Sequence, residues 1–324
     1  MIAARLAVSL LALGAGVLPV AGWGADYPSK PIRLLIPYTP GGNADVLGRT
    51  IGQHLGTAWK VPVVVENKPG ASGTLAVDTV AKAAPDGYTV VLGVFGNILV
   101  AKSLYKRLPY DPEKDLAPFS LVATPPTVLV ANTDFGPSTV GELLAYARKN
   151  AGKVFYASSG KGTSNHLFGE LLASLSGVEL KHIPYKGMGP ALNDVVGGRV
   201  QLAFAPFPLA LPQIKAGRLK ALGVTGASRS EVLPGVPTIA EQGVAGYEGS
   251  GWFALMAPAG VPPAILQKLN AEVDRILKRP DIRNSLAAEG ATPVGGDIAV
   301  VERSMQEGIR KWGPLARAVA GSED

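Results

Sequence analysis

Short apolar runs closed by turn residues alternate along this chain with segments whose apolar residues recur every three or four positions. Pro31 to Pro37 is a brief apolar run ended by proline, the pattern of a buried strand. Beyond Pro40-Gly41-Gly42, residues Leu47, Ile51 and Leu55 recur at four-residue spacing and mark one face of a helix. Val61 to Val65 reads as a second strand and Gly70-Ala71-Ser72-Gly73 as a turn, with Val77, Val80, Ala81 and Ala84 on the inner face of a second helix. Tyr88 to Val94 supplies a third strand. Alternation of this kind predicts an α/β layer with a largely parallel sheet.

The same pattern restarts downstream. Val154 to Ala157 is a strand, Ser158 to Thr163 a turn, and Leu167, Phe168, Leu171, Leu172 and Leu175 line a helix. Leu180 to Tyr185, Val200 to Phe204 and Leu219 to Thr225 read as further strands, and the helix Ala191 to Val196 is stopped by Gly197-Gly198. Two copies of one architecture predict two α/β lobes. Thr127 to Val130 and Trp252 to Met256 lie about a domain's length apart and are the candidate crossover strands. Two helices close the chain: one opened by Pro262-Pro263 with Ile265, Leu269, Val273 and Leu277 inward, the other carrying Val301, Met305, Ile309 and Trp312. Residues 26–124 and 251–324 are assigned to lobe 1 and residues 125–250 to lobe 2.

The first 25 residues stand apart. One charge, Arg5, precedes an apolar run from Leu6 to Val20 and the small-residue segment Ala21 to Ala25, the plan of a cleavable secretory signal peptide. The run is shorter than the roughly 20 apolar residues of a spanning helix. The chain has no cysteine, which removes lipid attachment at a lipobox, disulfides, thiolate metal sites and a thiol nucleophile. The expected product is a monomer free in the periplasm, not anchored to a membrane. Composition agrees with a folded protein, since hydrophobic residues make up 47% and charged residues 17%. The net charge of +6 is spread thinly, and without a Lys/Arg cluster nucleic acid is not an expected partner.

Candidate chemistry gathers at three strand-to-helix turns: Pro40 to Asp45, Gly70 to Thr74, and Ser158 to Thr163. Glycines admit a ligand close to the backbone, and helix N-termini carry unpaired N–H groups and partial positive charge, so these turns suit an anion. If the two lobes face each other, the turns converge on one cleft. For Asp45 the helix dipole is the leading role and ligand contact the other. Thr163 is read equally as an N-cap and as a ligand contact. His166 is read as a hydrogen-bonding support of the site before a catalyst, while His54 and His182 are read as structural. Three scattered histidines and no ligand-spaced pair make a metal site unexpected. Enzyme motifs fail: Lys161 is followed by Gly162 where a phosphate loop needs Ser or Thr, there is no Gly-x-Ser-x-Gly, and Asp111 with Glu113 sits in Pro-rich loop sequence. The expectation is a binding protein without cofactor or catalysis.

A longer series of motifs carries a resemblance. Tyr27-Pro28-x-Lys30-Pro31-Ile32, Pro40-Gly41-Gly42-x-x-Asp45, Val65 to Gly73, Ala81 to Thr89, Tyr156 to Leu167, Pro184-Tyr185-Lys186-Gly187, Leu233 to Gly243 and Ala257 to Pro262 follow in order over the mature chain. Together they resemble the TctC-type, or Bug, solute-binding proteins of tripartite tricarboxylate transporters. The resemblance implies a type II periplasmic-binding-protein fold, two α/β lobes joined by crossover strands that close over a small carboxylate, and delivery to a membrane permease. It also implies recognition by backbone amides and small hydroxyl side chains. The ligand-binding set that follows is Gly41, Gly42, Asn43 and Asp45; Gly70, Ala71, Ser72 and Gly73; Ser158, Ser159, Gly162, Thr163 and His166; and Tyr185, Phe204 and Ala205. Where many relatives have an acidic or amide-bearing segment, this chain reads Ala205-Pro206-Phe207-Pro208, which makes that wall apolar and weakens the case for an amine on the ligand. Two rivals share the same sequence: a sensor of the same fold that signals to a membrane receptor or histidine kinase, and a hydrolase using Asp45 or His166.

Overall fold

The computed structural model describes residues 27–40, 42–288, 290–291 and 293–321; the signal segment 1–25 and Gly41 lie outside the described residues. Ile32–Ile36 (β1) leads into Asn43–Trp59 (α1), then Val63–Asn67 (β2), Thr74–Ala81 (α2) and Thr89–Val94 (β3). Short helices Phe95–Ile98 (α3) and Ala101–Leu104 (α4) precede Leu116–Ala123 (β4). The next stretch runs Thr127–Asn132 (β5), Val140–Lys149 (α5), Phe155–Ser158 (β6), Ser164–Ser176 (α6), Lys181–Pro184 (β7), Met188–Val196 (α7), Leu202–Pro206 (β8), Phe207–Lys215 (α8) and Leu219–Val224 (β9). Phe253–Pro258 (β10), Pro263–Leu277 (α9), Pro280–Ala288 (α10) and Ile298–Gly321 (α11) complete the chain.

Two five-stranded sheets result, in the orders β2-β1-β3-β10-β4 and β7-β6-β8-β5-β9. In each, the fourth strand runs against its neighbours: β10 is antiparallel to β3 and β4, and β5 to β8 and β9. The remaining pairs, β1 with β2 and β3, and β6 with β7 and β8, are parallel. Each parallel connection carries a helix whose apolar face covers the sheet, as the sequence periodicity predicts; Leu47, Ile51 and Leu55 of α1 are all buried. The protein is a two-lobed α/β structure.

Two local expectations need correction. The candidate crossover strands do not span both lobes: β5 and β10 each lie within a single sheet. The chain passes between lobes at Pro125-Pro126 and Ser250-Gly251, where the Gly251 N–H donates to the Pro125 carbonyl at 2.7 Å and Pro126 bridges Ser250. Two prolines lack the N–H groups that a continuous strand from β4 to β5 would need. Helix α2 stops at Ala81 and leaves Ala84 exposed, because Pro85 disfavours helical backbone in the residue before it. Helix α7 does end at Val196 before Gly197-Gly198, with Gly198, at φ 72°, taking the left-handed conformation and Gly197 at −77°.

The largest buried cluster is shared by both lobes. Phe168 of α6 packs against Phe95 of α3 and Trp312 of α11 with ring centroids 5.9 and 5.5 Å apart, and Phe95 meets Trp312 at 5.0 Å. Phe207 of the second lobe lies against Gly290 of the first, where an added Cβ would fall 2.5 Å from its ring. These contacts hold the lobes face to face.

Candidate functional site

Between the lobes lies a cavity of about 570 Å³. Its wall is assembled from the starts of five helices of eight or more residues: α1 through Gly42, Asn43 and Ala44; α2 through Ser72 and Gly73; α6 through Thr163, Ser164 and Asn165; α7 through Met188 and Gly189; and α8 through Phe207 and Leu209. Each start presents backbone N–H groups without intrahelical partners and the positive end of the helix dipole. Among the described lining residues, Lys186 is the one Lys or Arg, and none is Asp or Glu. The remaining wall is mostly apolar: Pro37, Val94 and Phe95 from the first lobe, Pro206 from the second, and Trp252 and Phe253 at the passage between them. Such a space favours a small anion with an apolar body.

The turn between β2 and α2 is held under strain. Gly70, Ala71, Ser72 and Gly73 all have positive φ, at 136°, 47°, 55° and 87°. For Ala71 and Ser72 this costs of order 1–2 kcal/mol each, because Cβ crowds the carbonyl oxygen. Gly73 has no substitute: a Cβ there would lie 2.9 Å from both Pro37 Cβ and Asn97 Nδ2. Asn97 is fully buried, accepts the Val94 N–H at 2.9 Å and donates to the Gly73 carbonyl at 3.4 Å, so it ties this turn to the start of α3. Tyr38 also lines the cavity, and burial, with Tyr105 nearby, pushes its hydroxyl up to about 12. It remains a neutral hydrogen-bond donor at ordinary pH.

Of the residues proposed from sequence, Gly42, Asn43, Gly70, Ser72, Gly73, Ser159 and Thr163 line this one cavity. Gly41 lies outside the described residues, and the others are not among the lining residues, most of them with polar atoms committed elsewhere. Asp45 is buried, with Oδ1 accepting from Asn67 Nδ2 at 2.8 Å and paired to Arg49 at 3.0 Å, which secures the first turn of α1. Ala71 is not among the lining residues, and Gly162 faces Leu104 of α4, whose Cδ1 would lie 2.3 Å from an added Cβ. The Tyr185 hydroxyl donates to Asp194 at 2.7 Å, and burial together with that bond pushes it up to about 12. Phe204 and Ala205 are fully buried in β8; the Phe204 carbonyl accepts from Asn165 Nδ2 and so anchors the start of α6. Thr163 takes the N-cap position of α6, but its hydroxyl donates to the Gly160 carbonyl at 2.7 Å instead of capping the helix.

Ser158 and His166 are more involved. Ser158 Oγ lies 2.6 Å from His182 Nε2, a serine–histidine contact of catalytic length, yet Ser158 is fully buried and does not line the cavity. His166, 2% exposed, accepts the Gly162 N–H on Nδ1 at 3.0 Å. Desolvation, then the nearby His182 and Lys161, push its pKa down to about 3, so the ring is neutral at physiological pH.

Sequence reasoning missed Tyr38, Thr39, Phe95, Gly96 and the 186–189 turn. The last had the same signal as the other turns, since Lys186-Gly187-Met188-Gly189 joins a strand to a helix through two glycines. Gly93 and Gly96 bracket the junction from β3 to α3 in the same way, but strand and helix abut there with no turn between them to mark it.

Comparison with known proteins gives the same picture. The family described as tripartite tricarboxylate transporter family receptor matches residues 47–320. Protein BugT of Bordetella pertussis is 37% identical over 292 residues, 90% of each chain. An R. palustris protein solved with adipate is 36% identical and superposes with a TM-score of 0.83, over 91% of this chain and 99% of that one. MatC from Rhodopseudomonas palustris, solved with bound malate, is 33% identical with a TM-score of 0.79, over 90% of this chain and all of the other. Fold, cavity and sequence agree: this chain belongs to the tripartite tricarboxylate transporter receptor family.

Proposed function

We propose that this protein is a periplasmic solute-binding protein that captures a small carboxylate in the interlobe cavity and delivers it to a membrane permease of the tripartite tricarboxylate type. The observation that carries the reading is the wall itself: five helix starts converge on a space whose described lining holds one lysine and no acidic side chain. Adipate and malate, seen bound to two relatives, support the ligand class. Gly42, Asn43, Gly70, Ser72, Gly73, Ser159 and Thr163 are the proposed contacts, acting through backbone amides and short hydroxyl or amide side chains. Neutral donors hold a carboxylate without a tight desolvated ion pair, which keeps release fast enough for transport. Ligand binding stabilises the closed arrangement of the lobes by its differential affinity for it, and that closed form is the species the permease recognises.

The test is a thermal-shift and calorimetry panel of mono-, di- and tricarboxylates from three to eight carbons. A ligand at about 100 times its dissociation constant adds roughly 2.7 kcal/mol to the stability of the folded state. No shift with any member of the panel would refute the carboxylate assignment, and failure to co-purify with, or to drive uptake through, a tripartite permease would refute the delivery step.

A further inference from the structure

Beneath the turn 158–163, on the side away from the cavity, two imidazoles lie face to face. His166 of α6 and His182 of β7 are stacked with ring centroids 3.7 Å apart and planes 17° from parallel. Each ring receives a polar atom of the turn. The Gly162 N–H donates to His166 Nδ1 at 3.0 Å, and Ser158 Oγ meets His182 Nε2 at 2.6 Å. Ser158 Oγ also accepts the Gly160 N–H at 3.1 Å. Both glycine amides of the turn therefore end on the stacked pair, one directly and one through a single hydroxyl. The other side of this turn is cavity wall, formed by Ser159 and Thr163.

The arrangement works only if His166 carries no charge. Its Nδ1 accepts, which leaves the single ring proton on Nε2; a doubly protonated ring has no lone pair for Gly162. His182 from β7 and Lys161 from the turn both oppose a positive ring. Tyr156 of β6 lies alongside at 6.4 Å, and its hydroxyl donates to Glu170 Oε1 at 2.6 Å. That Glu170 oxygen is 3.8 Å from His166 Nε2, beyond hydrogen-bond reach. Among the described residues Glu170 is thus the one favourable partner for a charged His166, and it is already engaged by tyrosine. A simple apolar filler at either position would leave buried polar groups of the turn without partners, which is costly.

We propose that His166 and His182 are positioning residues for ligand capture: as a stacked pair they hold the 158–163 turn so that Ser159, Thr163 and the start of α6 face the cavity. The capture role rests on the carboxylate reading above; the holding of the turn does not. The pair acts through Ser158, Gly160 and Gly162 and touches no ligand.

The experiment uses the full mature chain with selectively labelled histidine and glycine, and three variants. His166→Asn keeps an acceptor near the Nδ1 position, His166→Leu keeps volume without an acceptor, and Ser158→Ala cuts the His182 arm. Without ligand, imidazole nitrogen shifts are expected to report a neutral, Nε2-protonated His166 at pH 6. Amide exchange at Gly162 should accelerate about tenfold or more in His166→Leu and stay within about threefold of wild type in His166→Asn. Gly160 exchange should accelerate in Ser158→Ala. With adipate and malate as probes at pH 7.5, affinity should fall about tenfold in His166→Leu and recover in His166→Asn. Equal exchange in the Asn and Leu variants, a doubly protonated His166 at pH 6, or better binding by Leu than by Asn would each overturn the proposal. Absence of binding by the wild type to the whole carboxylate panel would overturn the capture role, while shifts and exchange decide separately whether the pair holds the turn.

Discussion

Acidification from pH 7 to pH 5 should cost the wild-type protein about 2 kcal/mol of stability that the His166→Asn variant keeps. The magnitude follows from one ring. His166 is 2% exposed, and desolvation, then His182 and Lys161, lower its pKa from 6.5 to about 3. The unfolded chain therefore takes up a proton between pH 6.5 and pH 3 that the folded chain refuses, and stability rises with pH wherever the unfolded state binds more protons. The contribution is full above pH 6.5 and is lost as pH falls through that window. At about 1.36 kcal/mol per unit, the loss is about 2 kcal/mol at pH 5 and about 3 kcal/mol at pH 4. Carboxylates titrate over part of the same range, so the informative quantity is the difference between wild type and His166→Asn. Urea unfolding of both proteins at pH 7, 6, 5 and 4.5 measures it. Stability curves that run parallel across this range, within about 0.5 kcal/mol, would show that His166 accepts its proton in the folded state and would refute the reasoning.

Three further outcomes are expected. Phe168→Ala removes the ring that joins α6 to Phe95 and Trp312 and should destabilise the protein by about 3–5 kcal/mol in urea unfolding; small-angle scattering should show a more open pair of lobes, and an unchanged radius would sever the cluster from closure. Gly73→Ala places a methyl 2.9 Å from Pro37 at φ 87° and should cost about 1–3 kcal/mol, with calorimetry showing weakened carboxylate binding; unaltered affinity would remove the strained turn from the site. Because the described cavity wall contains no acidic side chain, adipate should bind at least about tenfold more tightly than 2-aminoadipate, whose ammonium loses water without gaining a charged partner. Equal affinities would mean that backbone carbonyls suffice for the amine.

The placement of the site was partly legible in the sequence. Gly42, Ser72, Ser159 and Thr163 stood out because strand-to-helix turns rich in small residues have few uses other than capping and anion contact, and all four line the cavity. The same reasoning also selected Asp45, Ser158 and His166, whose polar atoms turn inward to Asn67, His182 and Gly162. Nothing in a turn's composition says which of its two sides faces solvent. Helix α8 escaped notice for the opposite reason. Its segment carries Pro206, Pro208 and Pro212, yet proline at a helix start gives up only an N–H that has no intrahelical partner, and burial of Phe207 and Ala210 offsets the Pro212 defect.

Hydrophobic periodicity along the chain determined the number of lobes, the strand-helix alternation and the inward faces of α1, α9 and α11, while short residue motifs carried the family resemblance. These are local properties, set by the spacing of residues a few positions apart. Only the tertiary structure decided that β5 and β10 each belong to one sheet, that Phe95, Phe168 and Trp312 lock the lobes together, and that His166 lies upon His182. Those residues are separated by 16 to more than 200 positions in the chain. Their contacts depend on how two independently patterned layers pack, which no short-range pattern encodes.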